Sequence, residues 1–177
     1  LLTKDLLNIN FTGIKNTIEK LTNITFPKYL ENYIYDYSLL NPKIKSDNLE
    51  IDIEKMYFNN FYNFPIHGEK ISPYSIKNIT KRLELASTFN IWSRDKLPTF
   101  VDMMNENIKS KFLSIQIYHC MQGVDRTGEI IGAYKMKIFK KCLKEIIQED
   151  TKINQGKLAP KIHNLNALEW YELYLKK

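Results

Sequence analysis

The amino-acid sequence predicts an α/β chain, with a compact, mostly parallel sheet flanked by helices. Three observations carry this. Strand-like and helix-like periodicities alternate along the chain, the pattern of parallel α/β layers. A turn-rich segment joins a strand-like run, Phe112 to Tyr118, to a long helical pattern that begins at Gly128. The 177 residues are 44% hydrophobic and 26% charged, which suits one well-filled core.

Taken in order, residues 1–48 are rich in Asn, Ile, Leu, Lys and Tyr and read as helical or irregular, with short helices over Ile14 to Leu21 and Tyr29 to Leu40. Asn41-Pro42 and Ser46-Asp47-Asn48 are turn signals. Leu49, Ile51 and Ile53 alternate with charged residues, which predicts a half-buried strand. Phe58 to Ile66 is aromatic-rich and predicts a second one. Ser72-Pro73 predicts a helix start, with Ile76, Ile79, Leu83 and Ala86 on one face. Thr88 to Trp92 reads as a short strand, and Pro98 opens a helix through Ile108. After the Phe112 to Tyr118 strand comes a tight loop, Met121 to Asp125. One long helix, Gly128 to Gln148, then buries Ile131, Tyr134, Ile138, Cys142 and Ile146. Asn164 caps a last helix that carries Trp170 and Tyr171 as packing residues.

The net charge is +6, from 26 basic and 20 acidic residues. A mild positive field attracts anions. No Lys/Arg block is dense enough for a nucleic-acid arm, and no stretch reaches the roughly 18 apolar residues of a membrane span. No His/Cys/Asp cluster has metal-ligand spacing, so no metal and no cofactor are expected. The start, Leu1-Leu2-Thr3-Lys4-Asp5, has neither a Met nor a signal-like pattern, which leaves a removed leader open.

The segment Tyr118-His119-Cys120-Met121-Gln122-Gly123-Val124-Asp125-Arg126-Thr127-Gly128 carries the chemistry. A loop closing onto a helix start points several backbone N–H groups at one spot and makes an anion nest. Residues Met121 to Arg126 would supply that nest, with Gly123 allowing the backbone to turn or approach closely. The Arg126 guanidinium can grip two oxygens of a phosphoryl group. The Cys120 thiol would be acidified by the amides, the helix end and Arg126; such sites lower a cysteine from about 8.5 to roughly 3.5–7.5. A thiolate at neutral pH can attack phosphorus. Thr127 can hydrogen-bond the sulfur, and His119 can brace the loop.

This segment resembles the signature of the protein tyrosine phosphatase superfamily, His-Cys, five residues, Arg, Ser or Thr, Gly. His119, Cys120, Gly123, Arg126, Thr127 and Gly128 match it. The order of elements from Trp92 to Gln148 follows the superfamily too, and the earlier residues are assigned by extension. The resemblance implies a dual-specificity-phosphatase-like fold, one phosphatase domain over 1–177 with a catalytic core from 49, and a cysteinyl-phosphate intermediate. It implies a phosphorylated protein as substrate, with phosphotyrosine or dual specificity.

The leaving oxygen needs a proton. Trp92-Ser93-Arg94-Asp95-Lys96-Leu97-Pro98 is similar to the Trp-Pro-Asp loop of tyrosine phosphatases, with Ser93-Arg94 where one Pro is usual, and makes Asp95 the preferred general acid. Asp125 is the rival, because Asp125-Arg126-Thr127 resembles myotubularin-type phosphatases. That similarity favours an inositol-phosphate or phosphoinositide substrate, whereas the uncharged Met121, Gln122 and Val124 speak against one. A phosphate-binding module without turnover is the alternative of another class, and an arsenate reductase or rhodanese-like protein a weaker one.

His67 and His163 read as ordinary loop residues and Cys142 as core. Glu129 suits the start of the helix dipole and can hydrogen-bond within the loop. A reactive thiolate persists in reducing surroundings, which implies a cytoplasmic location.

Overall fold

The computed structural model describes residues 11–176 apart from Lys28 and Lys111. It is an α/β arrangement. Among the described residues, three parallel strands, β1 (Ile34–Ser38), β2 (Asn60–Asn63) and β3 (Ile115–His119), lie in the order β2-β1-β3. The helices are α1 (Phe11–Thr22), α2 (Lys45–Tyr57), α3 (Ile79–Ser87), α4 (Phe89–Trp92), α5 (Leu97–Lys109), α6 (Asp125–Phe139), α7 (Leu143–Ile153) and α8 (Ile162–Leu175). Among them, no helix is long and apolar enough to cross a membrane.

The register pairs Tyr37 with Tyr62 on one side and with Tyr118 on the other, and Ser38 with His119. Paired residues project to the same face of a sheet and neighbours in sequence to opposite faces. One face therefore carries Tyr37, Tyr62 and Tyr118, stacked with centroids 5.2 and 4.6 Å apart. It is closed by Phe64 and by Phe100 of α5, and Asn107 of α5 donates to the Tyr37 hydroxyl at 3.0 Å. The other face carries Ile34, Asp36, Ser38 and His119 and meets α2, which brings Glu54 to His119.

The core continues through the helices. Leu97, Val101 and Met104 of α5, Ile130 and Ala133 of α6, Ile146 of α7, and Leu168 and Tyr171 of α8 are all buried. Packing around α6 is close: a Cβ on Gly132 would lie 2.8 Å from Ile146 Cγ2 and 3.2 Å from a Leu168 methyl, so only glycine fits without movement.

Several elements differ from the sequence expectation. The segment 29–40 holds a single 3-10 turn, Leu30–Tyr33, followed by strand β1. The Leu49/Ile51/Ile53 alternation belongs to helix α2, with Ile51 buried and Leu49 exposed. The Thr88 to Trp92 segment holds the one-turn helix α4, with Thr88 as its N-cap and Ser93 leaving the helix at ψ 138°. Ser72-Pro73 opens only a 3-10 turn, Pro73–Ser75, and the helix proper starts at Ile79, where the Asn78 side chain accepts from Lys81 N. The long helix breaks in two because Lys140 turns left-handed, at φ 57°, and closes α6. Cys142 is then an exposed N-cap of α7, with Glu145 completing a capping box. Asn164 sits inside α8 rather than before it, buried against Glu129.

Candidate functional site

Strand β3 ends at His119, and the next residues turn at once into α6. Gly123 adopts φ +69°, the left-handed region that glycine enters without strain. A Cβ there would meet nothing within 4 Å, so conformation alone, and not crowding within the chain, requires glycine. Gly128 is different: a Cβ would come 3.0 Å from Asp150 Oδ2 of α7.

Cys120 lies at the bottom of this turn, 9% exposed, while Met121, Gln122 and Gly123 form an exposed rim. The Thr127 hydroxyl approaches Cys120 Sγ at 3.3 Å. Burial pushes the thiol upward. The hydroxyl and the amides of Thr127, Gln122 and Gly123, all directed at sulfur, more than offset it, and the thiol is held below its ordinary value. Val124 is the N-cap and Asp125 the first residue of α6, so the positive end of the helix adds to the same spot.

Arg126 is fixed by a residue that the sequence did not reveal. Its Nη1 lies 2.5 Å from Asp47 Oδ2 of α2 and 3.5 Å from the Leu39 carbonyl. Asp47 is buried and also accepts from Asn41 N at 2.9 Å. Burial raises that carboxyl, but the Arg126 hydrogen bond and charge and the Asn41 amide win and hold it below the usual carboxylate range. A guanidinium held on one edge keeps its other N–H groups for an anion.

His119 faces away from the rim. Its Nε2 lies 3.0 Å from Asp36 Oδ1 and 3.4 Å from Glu54 Oε1. Burial lowers the imidazole, and the two carboxylates more than reverse this, so its pKa is raised. Glu54 is pushed up to about 7, mainly by burial.

The two candidate acids occupy separate surroundings. Asp95 is 6% exposed. It accepts from Gly68 N at 2.6 Å and from His67 N at 3.0 Å. Its carboxyl meets that of Glu129, which is fully buried and takes an amide hydrogen bond from Asn164 at 2.6 Å. Burial raises both carboxyls, Glu129 most, and the contact with Glu129 lowers Asp95 in part. Glu69, held by Ser93 at 2.9 Å, joins the same acidic group. Asp125 instead ties down the start of α8: its oxygens take Lys161 N and Lys161 Nζ, each at 2.9 Å.

The structure thus brings His119, Cys120, Gln122, Gly123, Arg126 and Thr127 into one loop. Asp95 is linked to the base of that loop through Glu129 of α6, and Asp125 points its carboxylate at Lys161. The residues missed from sequence, Asp47, Asp36 and Glu54, are distant in the chain. Asp47, Ile51 and Glu54 do fall at helical spacing, and that signal was available.

A cleft of about 500 Å³ is lined by His67, Glu69, Arg94, Trp92 and Trp170, among others, and by no residue of the 119–128 loop. His67 nevertheless feels the charges of Arg94, Lys43 and Arg126, and with burial these hold its imidazole below its ordinary value despite Asp95.

The arrangement can hold a tetrahedral oxyanion against an acidified thiol. No protein-family model, curated protein or solved structure matches the chain.

Proposed function

We propose that this chain is a cysteine-dependent phosphomonoester phosphatase of the protein tyrosine phosphatase type, with a dual-specificity-like fold. The observation that carries this reading is the nucleophile loop. Cys120 Sγ is surrounded by three amides and the Thr127 hydroxyl, and Arg126 is fixed by Asp47 in the same turn. A buried structural cysteine needs no such donors.

In the first step Cys120 Sγ attacks phosphorus, the bond to the leaving oxygen breaks, and an acid gives that oxygen a proton. In the second, water attacks the thiophosphate, the acid takes a proton back, and inorganic phosphate leaves. Arg126 and the loop amides hold the phosphoryl oxygens through both steps. Asp95 is the preferred acid, because it lies on the turn similar to the Trp-Pro-Asp loop and burial raises its carboxyl. It has to swing away from the His67 and Gly68 amides to reach substrate. Asp125 would have to release Lys161 instead.

One observation favours a second reading of the substrate. Arg94 lines the cleft beside His67, and Lys43 and Arg126 add positive charge at His67, which favours inositol phosphates or phosphoinositides.

Phosphate release from p-nitrophenyl phosphate, phosphotyrosine and phosphoserine peptides, inositol phosphates and phosphoinositides tests both. Release that vanishes in Cys120→Ser is expected, with the best substrate deciding between protein and inositol classes. A parent that binds phosphopeptide but turns over nothing in the panel would make the domain a phosphate reader and sink the enzyme reading.

A further inference from the structure

We propose that Asp36, Glu54 and His119 form a binding site for one divalent transition-metal ion of the Zn²⁺ or Mn²⁺ class, on the α2 side of the sheet at the foot of the nucleophile loop. The donor atoms come from three distant segments, β1, α2 and the last residue of β3, and all lie within 4.8 Å of one another. The His119 Nε2 separations are 3.0 Å to Asp36 and 3.4 Å to Glu54. With metal–ligand bonds of about 2.1 Å, these spacings correspond to angles of about 90° and 110° at an ion.

The charge balance points the same way. Asp36 is 0% exposed and Glu54 5%, and among the described residues neither is paired with a lysine or arginine. Two buried carboxyl groups face one imidazole there, and a divalent cation would neutralise them in place of protons. The polar atoms are also short of partners. Both Asp36 oxygens, Glu54 Oε2 and the Ser38 hydroxyl are buried without a hydrogen bond. The register explains the convergence: Ser38 lies opposite His119, and Asp36 is two residues back on the same face.

His119 immediately precedes Cys120, so an ion there would clamp the start of the loop and place positive charge behind the sulfur. These three are positioning residues, and no reaction step passes through the ion. The site does not depend on the phosphatase reading.

The test is metal uptake by the purified chain. Metal content is measured after incubation with Zn²⁺ or Mn²⁺ and dialysis, and Co²⁺ is titrated with its visible spectrum recorded. One equivalent is expected, with a spectrum of nitrogen and oxygen ligation, in the parent and equally in Cys120→Ser and Asp52→Asn. Asp36→Asn and Glu54→Gln are expected to weaken binding by about 100-fold while circular dichroism stays unchanged. A parent that takes up no ion, or one whose affinity survives in both variants, overturns the proposal. So does a thiolate-to-cobalt band that disappears in Cys120→Ser, since the ion would then sit on the nucleophile. Because the parent spectrum alone separates these ligand sets, a variant that fails to fold does not rescue the idea.

Discussion

The two faces of the sheet are built from opposite materials. The α5 face is a neutral aromatic stack of Tyr37, Tyr62, Tyr118, Phe64 and Phe100, in which the Tyr37 hydroxyl has a partner in Asn107. The α2 face, a few ångströms away, buries Asp36, Ser38, Glu54 and His119 with polar atoms left unpartnered. Aromatic stacking adds stability, whereas buried and unpartnered charge costs it. Strand β3 ends on the costly side with His119, and Cys120 follows at once. The difference teaches that the α5 face holds the sheet together, while the α2 face is spent on the loop. Substitutions on the two faces should therefore separate, one set moving stability and the other turnover.

The largest effect is expected at the loop. Cys120→Ser should lower turnover by about 10⁴-fold or more with melting temperature almost unchanged, as steady-state kinetics and calorimetry on the same preparation would register. A matching loss of stability would break the division between the faces.

Next comes the aromatic face. Tyr37→Ala removes the middle of the stack and leaves Asn107 without its acceptor, and should cost about 3–5 kcal/mol in urea unfolding. At a temperature where the variant stays folded, its KM should match the parent's. A kinetic defect as large as the stability defect would show that this face, too, serves the site.

Asp47→Asn sharpens the comparison from the α2 side. Arg126 loses its ion pair and is free to drift, and kcat/KM should fall by about 10²-fold through weaker binding of the phosphoryl group. The pH dependence has a definite sign. The Asp47 carboxyl is held below its ordinary value, so the ion pair stabilises the fold above the ordinary carboxylate pKa. That contribution is lost as pH falls through the lowered value, and the parent's advantage over Asp47→Asn should shrink in acid. An advantage that grows in acid would contradict the pairing.

The smallest effect concerns Asp150, pressed against Gly128 and pushed up to about 6, mainly by burial. A raised carboxyl stabilises the protonated form, so stability is greatest below the ordinary Asp value and declines as pH rises through about 6. Asp150→Asn should therefore raise stability at pH 7.5 by on the order of 1 kcal/mol and flatten that decline. Thermal melts between pH 5 and pH 8 would show it; parallel curves for the two proteins would refute it.

The same contrast explains what was legible in the sequence. The loop proposed to carry the nucleophile could be read because its groups are local: ten consecutive residues, His119 to Gly128, supply sulfur, amides, guanidinium and hydroxyl. The aromatic strand β3 was legible too, as a run of apolar residues ahead of that loop. The α2 face was not. Inward positions of α2 are Asp47, Ile51 and Glu54, a helical spacing in which two of three residues are acidic, so hydrophobic periodicity pointed to the Leu49/Ile51/Ile53 alternation and a strand. In β1 the inward residues Asp36 and Ser38 are polar for the same reason, and the segment read as a helix. The partner of Arg126 lies 79 positions away, and Glu129 became a partner of Asp95 only once α6 and the 93–97 turn met. The break between α6 and α7 falls at Lys140, a left-handed residue with no glycine to announce it.

The most direct test is a rapid-quench experiment on the parent with its best phosphorylated substrate, followed by mass analysis of the peptide that contains Cys120. A phosphoryl group on Cys120, formed before steady-state release and absent in Cys120→Ser, is predicted. Full turnover in Cys120→Ser, or a phosphoryl group on any other residue, would contradict a cysteine-dependent mechanism.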